Sequence, residues 1–479
     1  MTITTRTARN RNRRRNAGTN EPRHAAVNQA PPLRRTREVG RHSAEFEPDL
    51  DAEVAPAALV AAAEEAEPDR SGTDVDVEPV VAEERHAPSY RKRRGSRRAP
   101  ARRAYLGLAL VRCLLYLGPL SVAVAAAEPL GRVAWPVPAV ALLFGWTAAQ
   151  SLTSVGVTVA RRAGPTAAAR LVGAGFAAVT GLWCALVWIA PDPLLGPDRA
   201  LAATVGIGGL LTLGSVTAAL VTRSERSVAA WYVPCWLLAA LAVAAPAPVL
   251  PLPVETLLPA AIVAVAVRAF RPAVVPCRHG RHPGLTAAER RRGGAYLVIG
   301  ASQAICVALL WRTGPAVMPL PAALPLLLAV PLLETLIGWH TDRLDAGLDS
   351  AESRAEFGRH VRNVTAITLA GLLPPLAAGA GLTLAAYRLP YGLSSVPDAR
   401  NAVLAMAAAT LLGGVFAVTF LLAARARTVI AAALSAIPPF AAVVLAVVPS
   451  AGGPLPAAVA VLAATHIAGL LIVALTAAP

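Results

Sequence analysis

Twelve stretches of this 479-residue chain stay apolar for about 20 residues each, which is the length of α-helix that crosses a bilayer's hydrocarbon core. A segment of that kind can lie in lipid only if its backbone bonds to itself, as a helix does, or closes into a barrel. The breaks at charge and at Pro/Gly clusters put the spans at roughly 104–127, 135–160, 171–190, 200–222, 228–247, 254–270, 293–313, 316–340, 361–387, 400–424, 428–448 and 455–478. Apolar residues make up 55 % of the chain and charged ones 15 %. Soluble domains carry about 25 % charged residues, so the composition excludes an ordinary soluble enzyme.

The charge is unevenly placed. Residues 1–103 hold 21 of the 45 Lys and Arg and 16 of the 29 Asp and Glu. They form a basic block (1–41), an acidic block (45–84) and a second basic block (85–103). Blocks so poor in aromatic and β-branched residues cannot offset chain entropy by burial. The expectation is a disordered cytoplasmic tail, 1–103. Its last block, from Arg91-Lys92-Arg93-Arg94 to Arg102-Arg103, abuts the first span and suits anionic lipid headgroups on the cytoplasmic side.

Orientation gives a separate check on the span count. With the N-terminus inside and twelve alternating spans, eighteen Arg fall in inside loops and five (Arg132, Arg199, Arg312, Arg388, Arg400) in outside loops. That is the positive-inside bias. It accounts for the net charge of +16 without nucleic acid as a partner. The expectation is a multi-pass protein of the cytoplasmic (inner) membrane with both termini cytoplasmic.

A weak internal repeat divides the spans. Span 2 opens Trp135-Pro-Val-Pro-Ala139 and ends Gly156-x-x-x-Ala160-Arg161-Arg162. Span 8 opens Met318-Pro-Leu-Pro-Ala322 and ends Gly338-x-x-x-Asp342-Arg343, about 182 residues later. The fold class expected is all-α, a polytopic membrane protein with about twelve transmembrane helices in two six-helix bundles. The bundles would be 104–270 and 293–479, joined by a basic cytoplasmic linker, 271–292.

No nucleotide-binding loop, nucleophile constellation or recognised metal pattern is present, so no cofactor and no enzymatic activity is expected. Cys277-x-His279-x-x-His282 lacks the spacing of a zinc site. The other cysteines, Cys113, Cys184, Cys235 and Cys306, fall in spans, where a thiol packs as a small hydrophobe.

Ionisable or amide side chains inside a span are costly and point to function. Arg112 in span 1 lies about 12 Å from the inner end, Glu334 in span 8 about 9 Å, and Gln150 (span 2) and Gln303 (span 7) about 15 Å. Gln150, Ser154 and Thr158 share one face of span 2. Arg112, Gln150, Ser154, Gln303 and Glu334 are the candidate substrate-binding residues, with Arg112 for an anionic headgroup or phosphate and Glu334 as its counter-charge or as a proton-coupling acid. The alternative for Glu334 is a pair with Arg343 or His340. His466, mid-span, is expected as a buried neutral imidazole bonded to a carbonyl. Arg312 and Arg388 read as interface anchors, and 340–362 as a short amphipathic helix on the inner surface. Gly206-x-Gly208-Gly209 and Gly379-x-Gly381 suit close helix packing.

One passage bears a family likeness. Gly145-Trp-Thr-Ala-Ala-Gln150, Gly156-Val-Thr-Val-Ala-Arg161-Arg162-Ala-Gly164-Pro-Thr-Ala167-Ala-Ala169-Arg170 and the span that follows resemble the second helix, short loop and third helix of the multidrug/oligosaccharidyl-lipid/polysaccharide (MOP) exporter superfamily. Ala351-Glu-Ser-Arg354 to Arg362 is a looser counterpart before span 9. The resemblance implies an alternating-access transporter or flippase for an amphipathic solute or lipid-linked saccharide, with helices 1, 2, 7 and 8 around a central cleft. Gly338-x-x-x-Asp342-Arg343 also resembles a loop motif of the major facilitator superfamily, which implies a small-molecule exporter instead. A non-transporting scaffold for cell-envelope synthesis is the reading from another class; it predicts a dry, fully packed junction.

Overall fold

A computed structural model describes residues 102–244, 254–275, 284–313, 319–351, 353–388, 399–447 and 454–476. The tail up to residue 101 and the Cys277, His279 and His282 group lie outside the described residues. Among the described residues all regular structure is helical. The helices are α1 (Arg102–Ala125), α2 (Ala127–Arg132), α3 (Pro136–Ile189), α4 (Asp192–Leu195), α5 (Arg199–Thr222), α6 (Glu225–Trp231), α7 (Val233–Ala244) and α8 (Val254–Val274). They continue with α9 (Ala287–Thr313), α10 (Pro319–Ser350), α11 (Arg354–Tyr387), α12 (Ala399–Ala424), α13 (Thr428–Val447) and α14 (Pro454–Leu475).

α3 has 54 residues, about 81 Å at the α-helical rise, far more than a bilayer needs. It folds back at Gly164, whose φ of 87° and ψ of 166° are non-helical and suit a residue without Cβ. Pro165 follows, at the start of the second arm, where a missing N–H costs nothing. The arms meet at nearly equal distances from the break: a Cβ on Gly175 would lie 2.6 Å from Leu152 Cδ1, and one on Gly156 would lie 3.6 Å from Val172 Cγ2. The arms are therefore spans 2 and 3, joined by a single residue instead of a loop.

Span 5 is also broken, as α6 and α7 with a 43° bend between them. Tyr232 stands at the bend, buried with its ring against Gly118 of α1 and its hydroxyl donating to Thr212 O at 3.1 Å. Nine described helices are long and apolar enough to cross a membrane. Counting α3 twice and adding the α6–α7 pair and α10 brings them to the expected twelve. The chain is a multi-pass membrane protein.

α1–α8 pack on one another as one bundle and α9–α14 as a second. Each has a central helix. Over its apolar stretch α12 is 83 % buried and α5 56 %, against at most 39 % for the other seven. Both are fourth spans of their bundle. Both end in a left-handed residue, Arg223 (φ 57°) after α5 and, two residues past α12, Ala426 (φ 60°), the only positive-φ residues other than Gly among those described. This parallel follows the same repeat order as the two Pro-x-Pro span openings. Elsewhere apolar side chains such as Leu110, Trp188, Val243, Phe440 and Val443 point outward, as a lipid-facing surface requires.

Arginines close three helix ends, where carbonyls lack partners. Arg170 donates to Ala273 O and Val275 O at the end of α8 (2.9 and 2.7 Å), Arg199 to Trp188 O and Ala190 O at the end of α3 (2.9 and 3.1 Å), and Arg425 to Val473 O near the end of α14 (3.2 Å).

Two expectations need correction. Residues 340–350 do not form a separate surface helix: nothing in them breaks a helix, so α10 runs on to Ser350 and packs back on α11, with the His360 ring against Gly347 and its Nε2 bonded to Arg343 O at 2.9 Å. Gly209 and Gly381 have nothing within 4 Å of a built Cβ and Gly208 only Ile262 Cδ1 at 3.7 Å, whereas Gly206 receives the Trp183 indole and Gly379 the Leu411 side chain.

Candidate functional site

The bundles meet mainly through α1 on α10 and α3 on α9. These are spans 1, 8, 2 and 7, and every candidate substrate-binding residue sits on one of them.

On the first pair, Arg112 Nη1 donates to Glu334 Oε2 at 3.4 Å, and Tyr116 Oη donates to Glu334 Oε1 at 2.7 Å. Arg112 and Tyr116 are one turn apart, on one face of α1, so one helix supplies a donor to each carboxylate oxygen of the other. The Arg112 and Glu334 side chains are each 24 % exposed. Glu334 thus pairs across the junction and not with Arg343 or His340. Arg343 lies over Trp339, 5.8 Å from the ring centre, and His340 Nδ1 bonds Thr368 Oγ1 at 2.8 Å. That hydroxyl gives its proton to Val364 O, so His340 Nδ1 carries the proton between them.

On the second pair, Trp146 Nε1 donates to Gln303 Oε1 at 2.9 Å, and the Trp146 ring reaches Phe416 of α12 with centroids 6.3 Å apart. An indole can only donate, which fixes the Gln303 oxygen toward it and turns the amide nitrogen away. One turn before Gln303 the backbones come close: a Cβ on Gly300 would lie 3.0 Å from Thr147 Cα and 3.1 Å from Gln150 Cβ. Gln150 therefore presses its stem on Gly300. Ser154 does not cross the junction. It is buried and donates to Ser151 O of its own helix at 2.8 Å.

The α3–α9 contact extends along the whole membrane. At the end carrying the basic loops, Arg162 Nη2 donates to Glu289 Oε2 at 3.2 Å and to Gly284 O at 3.1 Å. Next comes Gly293, where a Cβ would lie 3.0 Å from Val155 Cγ2. Gly300 and the Trp146–Gln303 bond follow. At the opposite face Arg312 stands over Trp135, 4.8 Å from the ring centre. Arg312 is thus a bond between bundles, not only an anchor in lipid.

Four buried polar atoms without a hydrogen-bond partner lie on these helices: Arg112 Nε, Thr147 Oγ1, Gln303 Nε2 and His340 Nε2. The first three can donate. From Gln303 a narrow gap, lined also by Ser302, Phe416, Thr419 and Ser435, enters the second bundle and is too small for water. His466 is buried as expected, its ring over Gly414 of α12 and the Leu372 backbone its polar neighbour, although neither ring nitrogen makes a well-formed hydrogen bond. No group of three or more metal-ligating side chains occurs among the described residues.

Tyr116 and Trp146 were absent from the sequence-derived set. Tyr116 was findable from its i, i+4 spacing to Arg112, and Trp146 from its mid-span indole N–H, which needs an acceptor.

No family model matches the sequence, and no curated protein matches it. Solved structures do match. One is a multidrug resistance MATE family transporter of the MOP superfamily in its outward-facing conformation, with a TM-score of 0.50 and 12 % identity over 78 % of this chain and 94 % of that one. A MATE protein in the bent conformation (TM-score 0.49, 10 % identity, 78 % and 94 % covered) and a eukaryotic MATE transporter (0.45, 14 %, 78 % and 95 %) are also similar. The membrane domain has the fold of the MOP-superfamily transporters.

Proposed function

We propose that this protein is an alternating-access transporter or flippase of the cytoplasmic membrane. Its solute is an amphipathic molecule, foremost a lipid-linked saccharide. Both termini lie in the cytoplasm, and the basic segment before α1 rests on anionic headgroups. The observation that carries this reading is the Arg112–Tyr116–Glu334 group between α1 and α10. An ion pair placed within lipid-crossing segments costs desolvation that apolar packing avoids. A junction that only had to hold two bundles together would do so without charge.

Arg112 meets an anionic portion of the solute, Glu334 balances the arginine between transport steps, and Gln150 and Gln303 offer amides to hydroxyl-rich parts. Ser154 contributes the polarity of its stretch of α3 without reaching across. Translocation of a fluorophore-labelled polyprenyl diphosphate saccharide in proteoliposomes, read by dithionite quenching, tests the reading. Arg112→Ala and Glu334→Gln at matched incorporation should each slow translocation at least tenfold. Unchanged rates in both would overturn it.

The absence of water-sized space in the gap beside Gln303 favours the scaffold reading instead. That reading expects no translocation by the wild type.

A further inference from the structure

α3 and α9 run antiparallel with their contacts in nearly constant register: Trp135 meets Arg312, Trp146 meets Gln303, Gln150 meets Gly300, Val155 meets Gly293 and Arg162 meets Glu289. Of the α9 glycines that face α3, Gly300 is the one that meets backbone, with a Cβ built on it 3.0 Å from Thr147 Cα, whereas Gly293 meets only side chains. From there Arg312 is about 18 Å away along α9 and Glu289 about 17 Å. The two arms are nearly equal, and each ends in a specific bond to the other bundle, different in chemistry at each face.

We infer that Gly300 is the fulcrum on which the bundles rock, with Arg312 over Trp135 latching one membrane face and Arg162 on Glu289 latching the other. This rests on the alternating-access reading and deepens it. Rigid helices pivoting at their closest point separate most at their ends. A relative rotation of about 15° moves an end of an 18 Å arm by about 5 Å. That is enough to part either latch while Trp146 and Gln303 stay in reach. Opening one face then leaves the other fastened.

The basic-face latch is the more built of the two. Thr286 and Glu289 form a capping box at the start of α9: Thr286 N donates to Glu289 Oε2 at 2.9 Å, and Glu289 N to Thr286 Oγ1 at 3.2 Å. Glu289 is 7 % exposed. The carboxylate is held in place by its own helix before Arg162 reaches it. The Trp135–Arg312 latch rests on stacking of an exposed guanidinium, a weaker attraction.

Spin-label distances across each face test this in lipid nanodiscs, with the full chain on a cysteine-free background. Labels at Ala163 and Ala288 report the basic face, and labels at Ala134 and Thr313 the opposite face. Trp135→Ala and Arg312→Gln should each raise the long-distance population at the opposite face several-fold and leave the basic face closed. Glu289→Gln, which keeps the capping box, and Arg162→Gln should do the reverse. Gly300→Leu should broaden both distributions.

Two populations in the wild type that none of these variants shifts would overturn the latches alone. A single unchanging distance at both faces, in the wild type and in every variant, would overturn the transporter reading together with the latches.

Discussion

Trp146 leaves its own bundle to donate its indole N–H to the side-chain oxygen of Gln303, 2.9 Å away, and to pack on Phe416. Trp146→Phe keeps the ring packing and removes the donor. It should cost about 1–3 kcal/mol, because the buried Gln303 oxygen is left without its donor, and Trp146→Ala should cost more, since the packing on Phe416 is lost as well. Thermal unfolding in detergent, followed by size-exclusion chromatography, checks the order of the two.

Arg112 and Glu334 should show the asymmetry of paired charges. Arg112→Met leaves a carboxylate with only Tyr116 beside it and should lower the melting temperature. Adding Glu334→Met should recover most of that loss, because an apolar pair replaces an ion pair at little cost. A double-mutant cycle on melting temperature measures the coupling, and additive losses would contradict it.

How much of this was visible in the chain can be read from individual residues. Arg112 and Glu334 stood out because charge in an apolar segment is rare, and the helical rise set them at one depth before any contact was known. Gly164-Pro165 marked the end of span 2, yet a turn of one residue is a matter of φ, which composition does not report. Spacing put Ser154 on the right face but not its bond, because a helical serine donates to the carbonyl a turn earlier, here Ser151 O. Residues 340–350 misled because their charge suggested a surface helix, whereas helices end where caps or breakers stand, and this stretch has neither.

Gly414 exists to admit the His466 ring. A Cβ there would lie 2.2 Å from His466 Cε1. Gly414→Ala should destabilise the second bundle by about 1–3 kcal/mol, the usual effect of overpacking. His466→Ala in the same chain should restore part of it, and thermal unfolding of the four variants gives the answer.

Arg425 spans Val473 O at 3.2 Å and Thr365 Oγ1 at 3.1 Å. A lysine offers one ammonium where this site uses a fork. Arg425→Lys should therefore loosen the last turn of α14. Faster amide hydrogen exchange over 470–476, with unchanged exchange in α5, is the expected result.

The capping box at Thr286 and Glu289 predicts a further pair of effects. Thr286→Ala should cost about 1 kcal/mol, as loss of an N-cap does. Glu289→Ala should cost more, since it also leaves Arg162 without its carboxylate. Unfolding midpoints of both variants and of Arg162→Ala give the comparison.

α12 is enclosed by other helices over most of its length, so the bilayer is not its final solvent. Its hydropathy matters for entry, when it must cross lipid as a free rod, and afterwards its surroundings are protein. Small side chains such as Ala407, Gly413, Gly414 and Thr419 then set how closely neighbours may settle. Residues on this helix answer to the company they keep within the fold, and a change of lipid thickness or headgroup should be felt everywhere else in the molecule first.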